Sequence, residues 1–295
     1  MRCCLVVTTY ERPDALACVL GSVARQARRP DEVVIADDGS GPATAEVVRE
    51  FAARSRSVVR HVTQPHEGFR AGRIRNAAIA SSDCDYVLLV DGDMLLDPRF
   101  VADHVALARA GHYSQGVRIL LDDDATRRQL ALPAELPGPL APGLGGLRRG
   151  YALHAPQVAA RLRRVANSFV AIKSCNQGFW RKDLVAANGF DESIRGWGSE
   201  DRNSVRGSRT PACDASRWYL PRLRITWPTR LRHVIRPTRI VPGGGLRCVP
   251  GAPAARPEST ATTPAEHRGF PVWPPARGVA IRTAPSPHLA TTRRS

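Results

Sequence analysis

Tyr86-Val87-Leu88-Leu89-Val90-Asp91-Gly92-Asp93 is a run of five apolar residues that passes directly into two carboxylates split by one glycine. A continuous apolar run bounded by a turn signal reads as a strand buried on both faces, the pattern of a parallel sheet. The same pattern recurs upstream. Cys4 to Thr8 is a short β-branched run, and Pro13 then opens a segment with Leu16, Val19, Leu20 and Val23 on one helical stripe. Glu32 to Ala36 is a second strand that stops at Asp37-Asp38-Gly39-Ser40-Gly41, and Pro42 starts a second helix through Val47, Val48 and Phe51. Val58 to Val62 gives a third strand, Gly72 to Ala80 a third helix, and Tyr86 to Val90 the fourth strand. Strands alternating with helices at this spacing predict an α/β fold, a mostly parallel sheet with helices on both faces.

Further along, the pattern predicts a helix near 98–110, a strand near 113–121, a Pro- and Gly-rich loop over 131–150 and a short helix over 156–165. Lys182 to Asn188 forms another short helix closed by Gly189. A parallel sheet holds its ligands beyond the carboxyl ends of its strands. Three polar clusters fall there: Thr8 to Glu11, Asp37 to Ser40 and Asp91 to Asp93. Two carboxylates flanking a glycine at a strand end suit a hard divalent cation, which takes one or two carboxylates and fills its remaining positions with phosphate oxygens and water. Read alone, the same three residues are equally an Asp-Gly turn. Arg73 and Arg75, on the third helix, either offer positive charge to a diphosphate or pair with a carboxylate.

In the company of these clusters the sequence resembles the family 2 glycosyltransferases of GT-A fold, particularly members with a galactosyltransferase-like C-terminal motif. Five ordered segments carry the resemblance: Val6 to Pro13, Ile35 to Ser40, Gly68 to Ile79, Val87 to Asp93, and Cys175 to Trp180 continuing through Gly189-Phe190-Asp191-Glu192 to Gly196-Trp197-Gly198-Ser199-Glu200-Asp201. It spans roughly residues 3–201, with a sugar-nucleotide part over about 1–121 and an acceptor part over about 122–201. The resemblance implies that Thr9, Tyr10, Glu11, Asp38, Arg75 and Asp91 contact a nucleoside-diphosphate sugar, UDP-linked by expectation, and that Asp91 and Asp93 hold Mn²⁺ or Mg²⁺. It also implies that Trp197 and Gly198 face a glycan or lipid-linked glycan acceptor, that Asp201 is the base toward the acceptor hydroxyl, and that Glu200 positions that acceptor. The implied reaction is one displacement at the anomeric carbon, with inversion, in polysaccharide biosynthesis. A nucleotidyltransferase shares the parallel sheet, but would be expected to carry a Gly-rich phosphate loop near the first strand, and Thr8 to Pro13 contains no glycine.

Charge divides the chain at the same place. Residues 202–295 carry 17 arginines, no lysine, three acids and 14 of the 24 prolines, whereas the first 201 residues hold 26 basic and 24 acidic side chains. Of the net charge of +16, +14 therefore belongs to the tail. A nearly neutral body argues against a nucleic-acid-binding surface on the folded part, and no nucleic-acid partner is expected. The alternative function is a non-catalytic Arg-rich protein that binds nucleic acid or anionic membrane through its tail. The composition predicts a largely disordered C-terminal tail. Its reading frame offers a cause: shifting by one base from Arg202 permits Glu-Phe-Gly-Ala-Arg-Leu-x-His-Ala-Gly, the continuation that related sequences show, so one nucleotide is expected to be missing near codon 202 and activity to be low. The shifted-out segment includes the His-Leu-x-His element that the resemblance assigns to the metal. The seven cysteines lack paired spacing and are expected to be reduced and buried. No stretch approaches the ~20 apolar residues of a membrane span and no signal peptide opens the chain, so a cytoplasmic protein is expected, with peripheral membrane association open.

Overall fold

The computed structural model describes residues 1–111, 113–116, 118–132, 142–143, 164–166, 175–193, 222–224, 231–233 and 280–283. The elements in order are β1 (Cys3–Thr9), α1 (Pro13–Ala24), β2 (Glu32–Asp37), α2 (Pro42–Arg54), β3 (Val58–Thr63), α3 (Ala71–Ala80), β4 (Tyr86–Asp91), β5 (Met94–Leu95) and α4 (Phe100–Leu107). They continue with β6 (Ser114–Gln115), β7 (Arg118–Leu120), α5 (Asp123–Ala131), β8 (Arg164–Ala166), β9 (Asn176–Trp180) and α6 (Arg181–Ala186). The last three are β10 (Arg222–Arg224), β11 (Leu231–His233) and β12 (Ala280–Thr283).

The main sheet of the described residues runs β12-β3-β2-β1-β4-β9-β6-β10-β8, and β5, β11 and β7 form a smaller one. β3, β2, β1 and β4 are parallel, while β9 runs antiparallel between β4 and β6. The repeated βα pattern is therefore the real organiser of the fold. Alternation along each strand sorts the core into two layers. Leu5 and Val7 of β1 and Leu88 and Val90 of β4 pack with Leu16, Val19 and Phe51 of α1 and α2, and with Phe100 of α4. Cys4, Val6, Val87 and Leu89 pack on the opposite face with Ile74 and Ala78 of α3 and with Phe179 and Phe190. Pro13 and Pro42 each sit in the first turn of their helix, where a missing N–H costs nothing.

Differences from the sequence reading are local. The strand expected over 113–121 is broken into β6 and β7 at Gly116, whose N–H turns to donate to the Asn176 carbonyl at 2.9 Å. Residues 164 and 165, expected at the end of a helix, lie in β8 antiparallel to β10, and the rest of 156–163 is outside the described residues. α5 carries little apolar periodicity. Its signal is instead a cap: Asp122 accepts from the Ala125 N–H at 2.8 Å, and Asp123 and Asp124 fill the first turn. Of the tail, read above as mostly disordered, β10, β11 and β12 are described. β12 lies antiparallel on β3, with Ile281 opposite Val62. The boundary at 201 is outside the described residues. Cys3, Cys4, Cys18, Cys84 and Cys175 are free and buried, as expected, and Cys213 and Cys248 are outside the described residues.

Candidate active site

β1 has β2 on one side and β4 on the other, all three parallel, so strand order reverses at β1, the switch point past whose carboxyl end sheets of this kind take their ligands. Within this register Thr8 stands opposite Asp91, and Thr9 opposite Asp37. Following the alternation of the core, Thr8, Asp38 and Asp91 fall on the face covered by α3, and α3 meets all three. Arg75, 3% exposed, donates from Nε to Thr8 Oγ1 at 3.2 Å and from Nη2 to Asp91 Oδ1 at 3.1 Å. The Arg70 backbone N–H, at the start of the same helix, donates to Asp38 Oδ2 at 3.0 Å.

The corner after β2 is closed. Asp37 and Asp38 are 1% and 4% exposed. Asp37 Oδ1 accepts from the Ser40 N–H at 2.9 Å, and its Oδ2 lies 2.9 Å from His61 Nε2. Burial alone would raise the Asp37 carboxyl, but the hydrogen bonds from His61 and Ser40 outweigh it and hold the group below its ordinary value. The other oxygen of Asp38 accepts from the Gln64 amide. Glu11, at φ +47°, ties the end of β1 to this corner: its N–H donates to Ser40 Oγ at 2.9 Å, and its Oε1 accepts from the Gly41 N–H at 2.7 Å. Tyr10 stands half in solvent and stacks on His66 with ring centroids 4.1 Å apart. Two buried polar atoms, Gln64 Oε1 here and Thr9 Oγ1 on the side of β1 toward Gly92, have no hydrogen-bond partner among the described residues.

The corner after β4 is more open. The Asp91 side chain keeps 30% exposure even with Arg75 on it, and Asp93 is half-buried. Gly92 passes so close to β1 that its N–H donates to the Thr8 carbonyl at 2.6 Å, and a Cβ there would lie 2.9 Å from that same oxygen and 3.0 Å from Thr9. Only glycine fits against β1 at this point between the two carboxylates. Both carboxylates also act on one buried neighbour. Burial pushes the Cys175 thiol up to about 12, with Asp91 and then Asp93 adding to the rise and Arg118 opposing it. Asp91 and Asp93 thus both lie near enough to Cys175 to act on its charge. Among the described residues no three His, Cys, Asp or Glu side chains gather into a complete metal cage. Two hard carboxylates flanking one glycine at a partly exposed strand end still fit a Mg²⁺- or Mn²⁺-sized cation that completes its shell from phosphate and water.

Beside this corner lies a buried polar chain. His104 Nδ1 is 2.7 Å from Ser114 Oγ, Nε2 is 2.9 Å from Asn176 Oδ1, and Tyr86 Oη is 3.0 Å from Ser114 Oγ. Complete burial pulls the imidazole down to about 4, the Asn176 hydrogen bond offsetting only part of the shift. A neutral ring then donates from Nε2 to the amide oxygen and accepts from the serine hydroxyl.

The structure therefore brings together Thr9, Tyr10, Glu11, Asp38, Arg75, Asp91 and Asp93. Of the two roles open to Arg75, it shows the carboxylate pair. Arg73 turns to Glu67 at 3.4 Å. Trp197, Gly198, Glu200 and Asp201 are outside the described residues. Sequence reasoning overlooked His61, within β3, and Gln64 and His66 just after it; the available signal was only a polar cluster following a strand of mixed character.

Comparison with known proteins bears on the family and the fold. The sequence profile described as Glycosyl transferase family 2 matches residues 4–167. The chain is 27% identical over 222 residues to a hyaluronan synthase of Pasteurella multocida, covering 67% of this chain and 22% of that protein. It is 29% identical over 210 residues to a validoxylamine A glucosyltransferase of Streptomyces hygroscopicus subsp. limoneus, covering 67% of this chain and 45% of that protein. The chain thus spans less than half the length of these curated relatives. Among solved structures, the mannosyltransferase PcManGT from Pyrobaculum calidifontis, in complex with GDP-Man and Mn²⁺, superposes with a TM-score of 0.52 at 17% identity, over 81% of this chain and 58% of that one. S. aureus TarS 1-349 in complex with UDP-GlcNAc gives 0.51 at 17% identity, over 70% and 53%. At such identities the likeness is one of fold, and that fold is GT-A.

Proposed function

The chain belongs to glycosyl transferase family 2, and from that footing we propose that it moves a sugar from a nucleoside-diphosphate sugar to a hydroxyl of a glycan or lipid-linked glycan, with inversion and with a divalent cation. The observation that carries the reading is the pair of carboxylates, Asp91 and Asp93, flanking Gly92 where β4 ends beside the switch point of the sheet, with a closed corner at Asp38 after β2. The unpartnered Gln64 Oε1 beside Asp38, and Thr9 Oγ1 on the Gly92 side of β1, support a ligand at these strand ends, since buried polar atoms are rarely left unpaired unless a ligand or water completes them. Tyr10 adds an exposed ring edge to the same rim.

In this reading Asp91 and Asp93 hold the cation. Bound there, it supplies positive charge to the departing diphosphate. Arg75 fixes the Asp91 carboxylate, and the Thr8 hydroxyl fixes Arg75 in turn. The Asp201 carboxylate takes the proton from the acceptor hydroxyl, with Trp197, Gly198 and Glu200 placing that acceptor. A UDP-sugar is the first donor to try: the two solved relatives named above were captured with UDP-GlcNAc and with GDP-Man.

The test is a panel of UDP- and GDP-sugars, assayed with oligosaccharide acceptors with and without Mn²⁺, the anomeric configuration of any product being read by NMR. Transfer from one donor class, dependent on metal and inverting, is expected. Metal-independent or retaining transfer contradicts the proposal. Because the frame after Asp201 is read as displaced, the chain with one base restored near codon 202 is assayed beside it and is expected to be the more active; an intact frame on resequencing removes that part.

A further inference from the structure

The geometry points to Asn76 and Glu192 as a positioning pair, through which α3 holds the acceptor-side segment in fixed relation to the Asp91 corner. The inference rests on the transferase reading and goes beyond it, because neither residue was assigned a role there. Asn76 is 3% exposed and every hydrogen-bonding group of its amide is used. Its Oδ1 accepts from the Phe190 N–H at 2.8 Å; its Nδ2 donates to the Phe190 carbonyl at 2.8 Å and to Glu192 Oε1 at 2.8 Å. The amide therefore clasps both backbone groups of one residue and one carboxylate two positions on. One acceptor and two donors on a short stem is a set that only asparagine offers.

Three neighbours on α3 and its cap reinforce the clasp. A Cβ on Gly72 would lie 3.0 Å from the Asp191 carbonyl oxygen, so glycine lets the segment lie flat on the helix. Arg70 Nη1 donates to the Glu192 carbonyl at 3.3 Å, and the Arg75 guanidinium sits 5.6 Å from the centre of the Phe190 ring. Arg75 is also the residue on Asp91. One helix thus grips the donor-side carboxylate with one residue and residues 190–192 with the next. Glu192 stands nine positions before Asp201 in the chain, so the clasp sets where the segment leading to the expected base begins. Asn76 touches neither donor nor acceptor in this account, and acts through the backbone it holds.

The test uses the full chain. Asn76→Asp keeps the shape but sets a carboxylate oxygen against the Phe190 carbonyl and the Glu192 carboxylate; Glu192→Gln in that background returns a donor. Three readouts are followed: UDP binding in the presence of Mn²⁺, amide hydrogen exchange over residues 189–193, and transfer to acceptor against hydrolysis of the donor. In Asn76→Asp, exchange over 189–193 is expected to rise at least about tenfold and kcat for transfer to fall roughly 30-fold, with UDP affinity and donor KM within about twofold. Asn76→Asp/Glu192→Gln is expected to recover about a third or more of both losses. Wild-type exchange and transfer in Asn76→Asp overturn the inference. So does a parallel fall in melting temperature, UDP affinity and transfer, which marks a merely structural residue. A wild-type chain that binds no nucleoside diphosphate instead refutes the transferase reading, and the exchange measurement still decides whether the clasp exists.

Discussion

Two acidic corners stand at the carboxyl ends of parallel strands, one after β2 and one after β4, and they are built in opposite ways. After β2, protein groups meet all four carboxylate oxygens of Asp37 and Asp38: Ser40, His61, Gln64 and the Arg70 backbone. After β4, Asp91 keeps about a third of its side chain in solvent beside the buried Arg75, and Gly92 lies against the Thr8 carbonyl between the two acids. The first corner is a wall whose shape is fixed by its own hydrogen bonds. The second is a partly exposed edge at the end of its strand. Substitutions at the two corners should therefore fail differently, one in stability and one in chemistry.

The largest effect is expected from Asp93→Asn. If the carboxylate holds a cation that contributes about 4 kcal/mol to the transition state, transfer falls ~1,000-fold. The melting temperature stays near wild type, because the side chain is only half-buried. Turnover and a thermal melt on the same preparation check both halves.

Acid separates the corners by pH. His104, beside β4 and β9, has a folded value lowered to about 4 from 6.5, so the unfolded chain takes up the proton first, and stability drains away as pH falls through that window. The full loss is ~3 kcal/mol, complete near the folded value. Asp37 also has a lowered folded value, but its contribution is fully present above 3.8 and is lost only below it. Urea titrations between pH 7 and pH 3, with hydrogen exchange resolved by segment, should show the β4 side softening first. Simultaneous softening of both corners between pH 6.5 and pH 4 contradicts the assignment.

A smaller effect is expected at the wall. Asp38→Asn turns one acceptor into a donor facing either Gln64 or the Arg70 N–H, which costs roughly 2 kcal/mol of stability. Chemical denaturation reads it directly, and an Asp38→Asn protein as stable as wild type would show that the corner is not held as described.

The parallel sheet was legible because strands buried on both faces announce themselves as unbroken apolar runs, as Tyr86 to Val90 does, and because prolines 13 and 42 mark helix starts. Acids at strand ends were legible for the same reason, as the first polar residues after such runs. What could not be read was partnership. Arg75 had two equally good roles in the sequence, and only the pleat of β1 and β4, which sets Thr8 and Asp91 on the α3 face, decides between them. β9 was missed as a strand because Asn176, Gln177 and Gly178 are weak strand formers; they are buried by pairing with β4 and β6, a long-range context that overrides local propensity. Gln64 and His66 were missed because they follow a strand whose own residues, Arg60 and His61 among them, dilute the apolar signal.

The central claim is that the edge after β4 holds a cation with a nucleoside diphosphate. Calorimetric titration of UDP and of GDP into the full chain, each with and without Mn²⁺, tests it most directly when repeated on Asp93→Asn. One of the two nucleotides should bind wild type at least about tenfold more tightly with the metal, and that gain should vanish in the variant. A metal effect of equal size in both proteins, or none in wild type, would contradict the account.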